Sequence, residues 1–177
     1  MFKVTFEEFF ERLAMNIGAS LEQTQEDIGV INEVLDGQKD PEELCIHGRA
    51  RIISIEDDFS NLSFDEEELT LCMESIEDYK SLPADSIVRN LMRNYFDTIQ
   101  EFFSLEPTKR IRSRQLRAQI SDIERLLKLE GFWIMGGIAS YEAILEDQKR
   151  NEDAEEFEDG YGEDEDGFDE RARRNDT

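Results

Sequence analysis

Apolar residues recur at three- and four-residue steps along most of this chain, the period of a helix that hides one side. The clearest run lies between Pro83 and Gly131 and predicts a long helical hairpin over about 84–130, joined near Glu106–Pro107. Its first helix, with Asp85 as the expected cap, carries Ile87, Val88, Leu91, Met92, Tyr95, Ile99, Phe102 and Phe103 on one broad face. Its second carries Leu116, Ile120, Ile123 and Leu127, a narrower seam of the kind that helices turn towards each other.

Before the hairpin the same pattern predicts shorter pieces. Phe2, Val4 and Phe6 alternate as a short strand would. Thr5 and Glu8 have capping-box spacing, which starts a helix through Phe6, Phe9, Phe10 and Leu13 to about Ile17, ended by Gly18. Ser20, with Gln23 at the reciprocal position, opens a second helix through Leu21, Ile28, Ile31 and Leu35 that Gly37 stops. Asp40-Pro41 begins a short third helix, since proline favours the first helical position. Arg51–Ile55 is the best strand candidate, with Phe2–Val4 as its evident partner. Asp57–Asn61 reads as a loop, and Ser63 with Glu66 as a capping box for a helix through Leu69, Leu71, Cys72, Ile76 and Tyr79. After Gly131, Phe132–Gly137 reads as an extended crossing, because Gly136-Gly137 breaks helices; a last helix runs from Ile138 to about Arg150. The expected fold class is mainly α: a compact helical domain over 1–150 built on the hairpin, with room for a minor two-stranded β element.

From Asn151 the pattern ends. Residues 151–177 hold no aliphatic side chain larger than alanine, too little apolar surface to offset ordering entropy, so a disordered acidic tail is expected. Phe157, Tyr161 and Phe168 are spaced among acids that include Glu155, Glu156, Asp164 and Asp166. Rings interleaved with acid suit a basic, partly apolar groove on a partner, and a purely solubilising tail would not need them.

Charge changes the picture more than any motif. The net charge is −24 at pH 7. Residues 1–108 hold 8 basic and 25 acidic side chains and residues 151–177 hold 3 and 13, whereas residues 109–130 hold 7 and 3. At about 100° per residue, Arg110, Arg114, Arg117, Arg125 and Lys128 fall within roughly a quarter-turn of one another, opposite the apolar seam. So acidic a surface repels nucleic acid and anionic membranes and attracts basic partners. The basic face has three readings: neutralised by surrounding carboxylates or the tail, in contact with nucleic-acid phosphates, or docked on an acidic partner or second copy.

Catalytic and metal motifs fail on inspection. With Gly167 at the sixth position of a calcium loop, Gly162 and Arg173 stand where the first and last ligands belong. Asp57 or Asp58 after a strand, followed by Asp78-Tyr79-Lys80, imitates a metal-nuclease spacing. With 44 acidic residues that spacing arises by chance, and the net charge opposes DNA. Cys45 and His47, with Cys72 as the one further ligand, fall short of a zinc set, and no oxyanion site accompanies a Cys–His pair. No catalytic residue, cofactor or metal is therefore assigned. The N-terminus lacks the cationic start of a signal peptide, no apolar run approaches the roughly 18 residues of a membrane span, and two cysteines make no disulfide framework. Together these point to a cytoplasmic protein with no membrane partner; a homodimer is left open.

The expectation is a non-enzymatic, strongly acidic interaction protein that binds a basic protein partner. Body and tail supply attraction, and the apolar patch Phe132, Trp133 and Met135 supplies an anchor. The alternative is a nucleic-acid-associated adaptor acting through the basic face 109–128. Small, helical, intensely acidic chains include viral inhibitors that imitate DNA's charge, immunity proteins that neutralise basic toxins and assembly chaperones. The likeness is one of charge, not of sequence.

Overall fold

Five helices make up most of the described chain, seen in a computed structural model that describes residues 3–38, 45–46, 49–50 and 55–161. Helix α1 (Phe6–Leu35) starts as its sequence dictates: Glu8 N–H donates to Thr5 Oγ1 at 3.2 Å and Thr5 N–H to Glu8 Oε2 at 3.0 Å. It does not stop at Gly18, and Ser20 opens no second helix; one helix of 30 residues runs through both glycines, 18 and 29, and ends before Gly37, whose φ is +76°. An interior glycine costs only about 1 kcal/mol relative to alanine. The stripe Phe9, Leu13, Ile17, Thr24, Ile31, Val34 keeps its register across Gly18 and is buried throughout, which outweighs that local cost.

Helix α2 (Ile55–Tyr79) begins two turns earlier than Ser63, so the expected loop at Asp57–Asn61 is helical and the Ser63–Glu66 pair lies inside the helix. Nothing from Ile55 to Ser63 forbids a helix, and Leu62 is buried against Ile31 and Val34 in a small second cluster. Phe6 and Phe10 meet Tyr79, Gly18 faces Met73, and Ile31 meets Leu62, so α1 and α2 are antiparallel along their length.

Among the described residues the minor β element expected from Phe2–Val4 and Arg51–Ile55 is not seen. Val4 is irregular and buried, with its carbonyl accepting from Gln100 Nε2 at 3.2 Å, and Ile55 is the first residue of α2. The β pairing among the described residues is two residues long, β1 (Cys45–Ile46) antiparallel to β2 (Arg49–Ala50). The helix expected at Asp40-Pro41 and the strand residues 51–54 lie outside the described residues.

The hairpin stands where it was expected. Helix α3 (Ile87–Ser104) is capped by Ser86 rather than Asp85, the hydroxyl accepting from Val88 N–H at 3.2 Å. It buries Val88, Met92, Tyr95, Phe96 and Ile99, while Ile87 is exposed. Helix α4 (Arg110–Leu129) buries Leu116, Ile120, Ile123 and Leu127, the four seam positions. Gly131 (φ +80°) then turns the chain, Phe132–Gly136 crosses without regular structure, and α5 (Gly137–Tyr161) begins at the glycine pair. It runs antiparallel to α1, with Ser140 accepting from Asn16 at 3.1 Å and Asp147 paired with Arg12 at 2.7 Å. Its later turns take in Asn151–Tyr161, the start of the segment expected to be a disordered tail; residues 162–177 lie outside the described residues.

Candidate functional site

Helix α4 presents the five cations of the basic face to solvent, and the fold treats its two ends differently. Towards the C-terminal end, Lys128 Nζ lies 4.0 Å from Glu68 Oε1 and 4.1 Å from the centre of the Trp133 ring, and Arg125 lies 3.3 Å from Asp122. In the middle, the Arg117 guanidinium stands 4.9 Å over the Phe102 ring. Arg112, outside the expected set, reaches Glu101 Oε1 at 2.7 Å across the hairpin. At the N-terminal end, Arg110 and Arg114 have no carboxylate partner among the described residues, and Lys109 caps the helix without a side-chain hydrogen bond. They border a shallow cavity of about 280 Å³ beside Pro107. These cations sit at the positive end of the helix dipole, a locally unfavourable placement.

The apolar patch divides. Phe132 is buried with its ring 5.9 Å from Tyr79, so it belongs to the core and is no surface anchor. Trp133 and Met135 are half-buried, and the Trp133 N–H donates to Ser75 Oγ at 2.8 Å. Of the expected tail contacts, Glu155 and Glu156 are exposed on α5. Phe157 and Tyr161 belong to the α5 backbone with side chains outside the description, and Asp164, Asp166 and Phe168 lie outside the described residues.

Two arrangements are absent from the sequence reading. The first is interior: Gly137 N–H donates to the Tyr95 hydroxyl at 3.0 Å, which donates to Glu124 Oε1 at 2.7 Å, tying α5 to α3 and α4. Burial raises the Glu124 carboxyl above its ordinary range, with the Tyr95 hydrogen bond pulling partly back, and burial followed by the nearby Glu124 charge raises Tyr95 well above its own. Burial, then the carboxylates of Glu68 and Glu124, lift the adjacent Cys72 thiol to about 11, with Lys128 opposing. Raised in this way, the buried Cys72 thiol is a poor nucleophile at neutral pH.

The second is a groove of about 680 Å³ between the start of α1, the end of α2 and the start of α3. Half-buried Phe6 and Phe10 and buried Tyr79 form its floor, with Phe10 and Tyr79 ring centres 4.7 Å apart. Glu7, Glu11 and Glu77 line it together with Lys80, Arg89 and Arg93. Phe6 and Phe10 follow the inner-face spacing of α1, so sequence alone assigns them to the core; only their partial exposure marks a surface.

Asp57 and Asp78 both lie on α2, about 30 Å apart along its axis, so the nuclease-like pair does not converge. The side chains of Cys45, His47 and Asp58 lie outside the description. Among the described residues no three His, Cys, Asp or Glu side chains cluster as metal ligands, and no helix is long and apolar enough to cross a membrane. Set against known protein families, curated proteins and solved structures, the chain has no match, so its function is argued from this geometry.

Proposed function

We propose that the protein is a non-enzymatic, acidic interaction protein whose partner is a basic protein. The observation that carries this reading is an imbalance of partners. Glu7, Glu11, Glu22, Glu26, Glu67 and Glu77 are exposed on the α1–α2 pair, and none has an ion-pair partner among the described residues. Half of the cations whose side chains are described are already engaged: Arg12, Arg112, Arg125 and Lys128 by carboxylates, Arg89, Arg93 and Arg117 by rings. Facing carboxylates repel one another and gain when a cationic surface arrives, which speeds encounter more than it prolongs the complex. The acidic residues beyond α5 extend the same attraction. Such a surface serves an inhibitor that imitates nucleic acid, an immunity protein or an assembly chaperone alike.

Arg110 and Arg114 favour a second reading, an adaptor that touches nucleic-acid phosphates at the start of α4, because they lack acidic partners among the described residues. Four proteins separate the two readings: wild type, tail acids changed to Asn and Gln, Arg110, Arg114 and Arg117 changed to Glu, and both. With a basic protein as probe, tail neutralisation should slow association and the helix reversal should preserve or strengthen binding. Clear mobility shift of DNA or RNA by wild type, lost on helix reversal, would overturn the preferred reading.

A further inference from the structure

We propose that the groove floored by Phe6, Phe10 and Tyr79 holds a basic amphipathic segment of the partner, with flanking lysines or arginines paired to Glu7, Glu11 and Glu77. The proposal rests on the reading that the partner is a basic protein, and adds where that protein is held.

Three features of the groove select this occupant. Its volume of about 680 Å³ suits a few side chains, and Ala14, half-buried on the next turn of α1, leaves it open along the helix. The half-buried rings of Phe6 and Phe10 gain from burial under an aliphatic or aromatic side chain, so apolar contact supplies the anchor. Its charges are unequally committed. The Arg89 guanidinium donates to the carbonyls of Leu82 at 3.0 Å, Tyr79 at 3.1 Å and Lys80 at 3.3 Å, closing the end of α2, and lies 4.7 Å from the Tyr79 ring centre. Arg93 lies 4.8 Å from the Phe6 ring centre. Both arginines are thus already engaged within the fold. Glu7, Glu11 and Glu77 have no ion-pair partner among the described residues, and Glu7 and Glu11, four residues apart on one helix, repel each other. What these three carboxylates lack is a paired cation, which a basic segment supplies. A second copy fits poorly, since each chain carries −24.

The test uses a fluorescent helical peptide with leucine on one face and arginine on the other, and the same peptide with serine for leucine. Anisotropy titrations compare the full chain with Ala14→Trp, which fills the groove, and with Glu7→Gln/Glu11→Gln/Glu77→Gln. The triple Glu22→Gln/Glu26→Gln/Glu67→Gln removes equal charge elsewhere, and thermal unfolding checks that each variant folds. Both groove variants and the serine peptide should weaken binding by about tenfold or more, and the distant triple by less than about twofold. If Ala14→Trp does not fold, the two triples still decide. Equal losses in the two triples would overturn the groove while leaving attraction to basic proteins intact. Failure of every chain to bind either basic peptide would remove that attraction as well. Tighter binding after Phe168→Ser in the full chain, absent in Ala14→Trp, would assign the groove to the chain's own C-terminus. Self-association abolished by Ala14→Trp would assign it to a second copy, and either result would overturn the proposal.

Discussion

The α1–α2 pair and the α3–α4 pair are both antiparallel and both turn an apolar stripe into one core, yet they settle their outer faces in opposite ways. On α3–α4 several charges past the start of α4 find partners nearby: Arg112 meets Glu101, Arg117 covers Phe102, and Lys128 is held between Glu68 and Trp133. On α1–α2 an acidic surface stands largely without cations, beside partly exposed rings at Phe6 and Phe10. Both pairs bury residues in that shared core, and unmet charge gathers where α1 meets α2. Surface ion pairs contribute little, so the closed character of the hairpin rests on its buried seam rather than its salt bridges.

The strongest way to break that contrast is to attack the seam. Leu127 is fully buried in the core, and Leu127→Ala should cost about 2–4 kcal/mol, measured by urea unfolding. A loss below that of exposed substitutions would mean the seam does not anchor the domain.

The α5 entry comes next. A Cβ at Gly137 would overlap the Tyr95 hydroxyl and come within 2.7 Å of Ile99 Cδ1, so Gly137→Ala should destabilise by about 1–3 kcal/mol. An unchanged midpoint would show that α5 can shift off α3 without penalty.

Tyr95→Phe sharpens the same junction by leaving Gly137 N–H and Glu124 without their shared partner, at a cost of about 1–2 kcal/mol. The carboxyl adds a pH signature. Burial raises Glu124, so the native state holds its proton more tightly than the unfolded chain does. The resulting penalty is absent below the ordinary carboxylate range and grows as pH rises through the raised value. Glu124→Gln, which keeps an acceptor for Tyr95, should therefore gain on wild type as pH is raised towards neutrality. A gap moving the other way would refute the direction of the shift.

Smaller effects belong to the acidic pair. Gly29 is exposed within α1 with nothing within 4 Å of an added Cβ, so Gly29→Ala should stabilise by about 0.5–1 kcal/mol. Destabilisation there would mean α1 needs its glycine.

Smallest of all, Arg114→Ala on the exposed face of α4 should change stability by less than about 0.5 kcal/mol. A larger loss would give the basic face a structural role and blur the separation of stability from charge.

Sequence alone determined what depends on a few neighbouring residues. The Thr5–Glu8 box, the four-residue seam of α4, the turn at Glu106–Pro107 and the break at Gly136-Gly137 are each written in a local pattern strong enough to survive any packing. The tertiary structure decided where local preference is weak. Gly18 stays helical because the stripe on both sides of it is buried, and Ser63 is no cap because Leu62, just before it, is anchored on Ile31 and Val34. Phe96 joins the core through contacts with Phe6 and Phe9, residues that a one-dimensional period cannot place beside it. Tyr95, Glu124 and Gly137 meet only once three helices are docked, and the rings of Phe6 and Phe10 line a groove because no further element among the described residues covers them. A helical period records which side of a helix is apolar; the area that side loses to its neighbours exists only in the packed domain, and that area outweighs the roughly 1 kcal/mol that a glycine or a false cap signal represents.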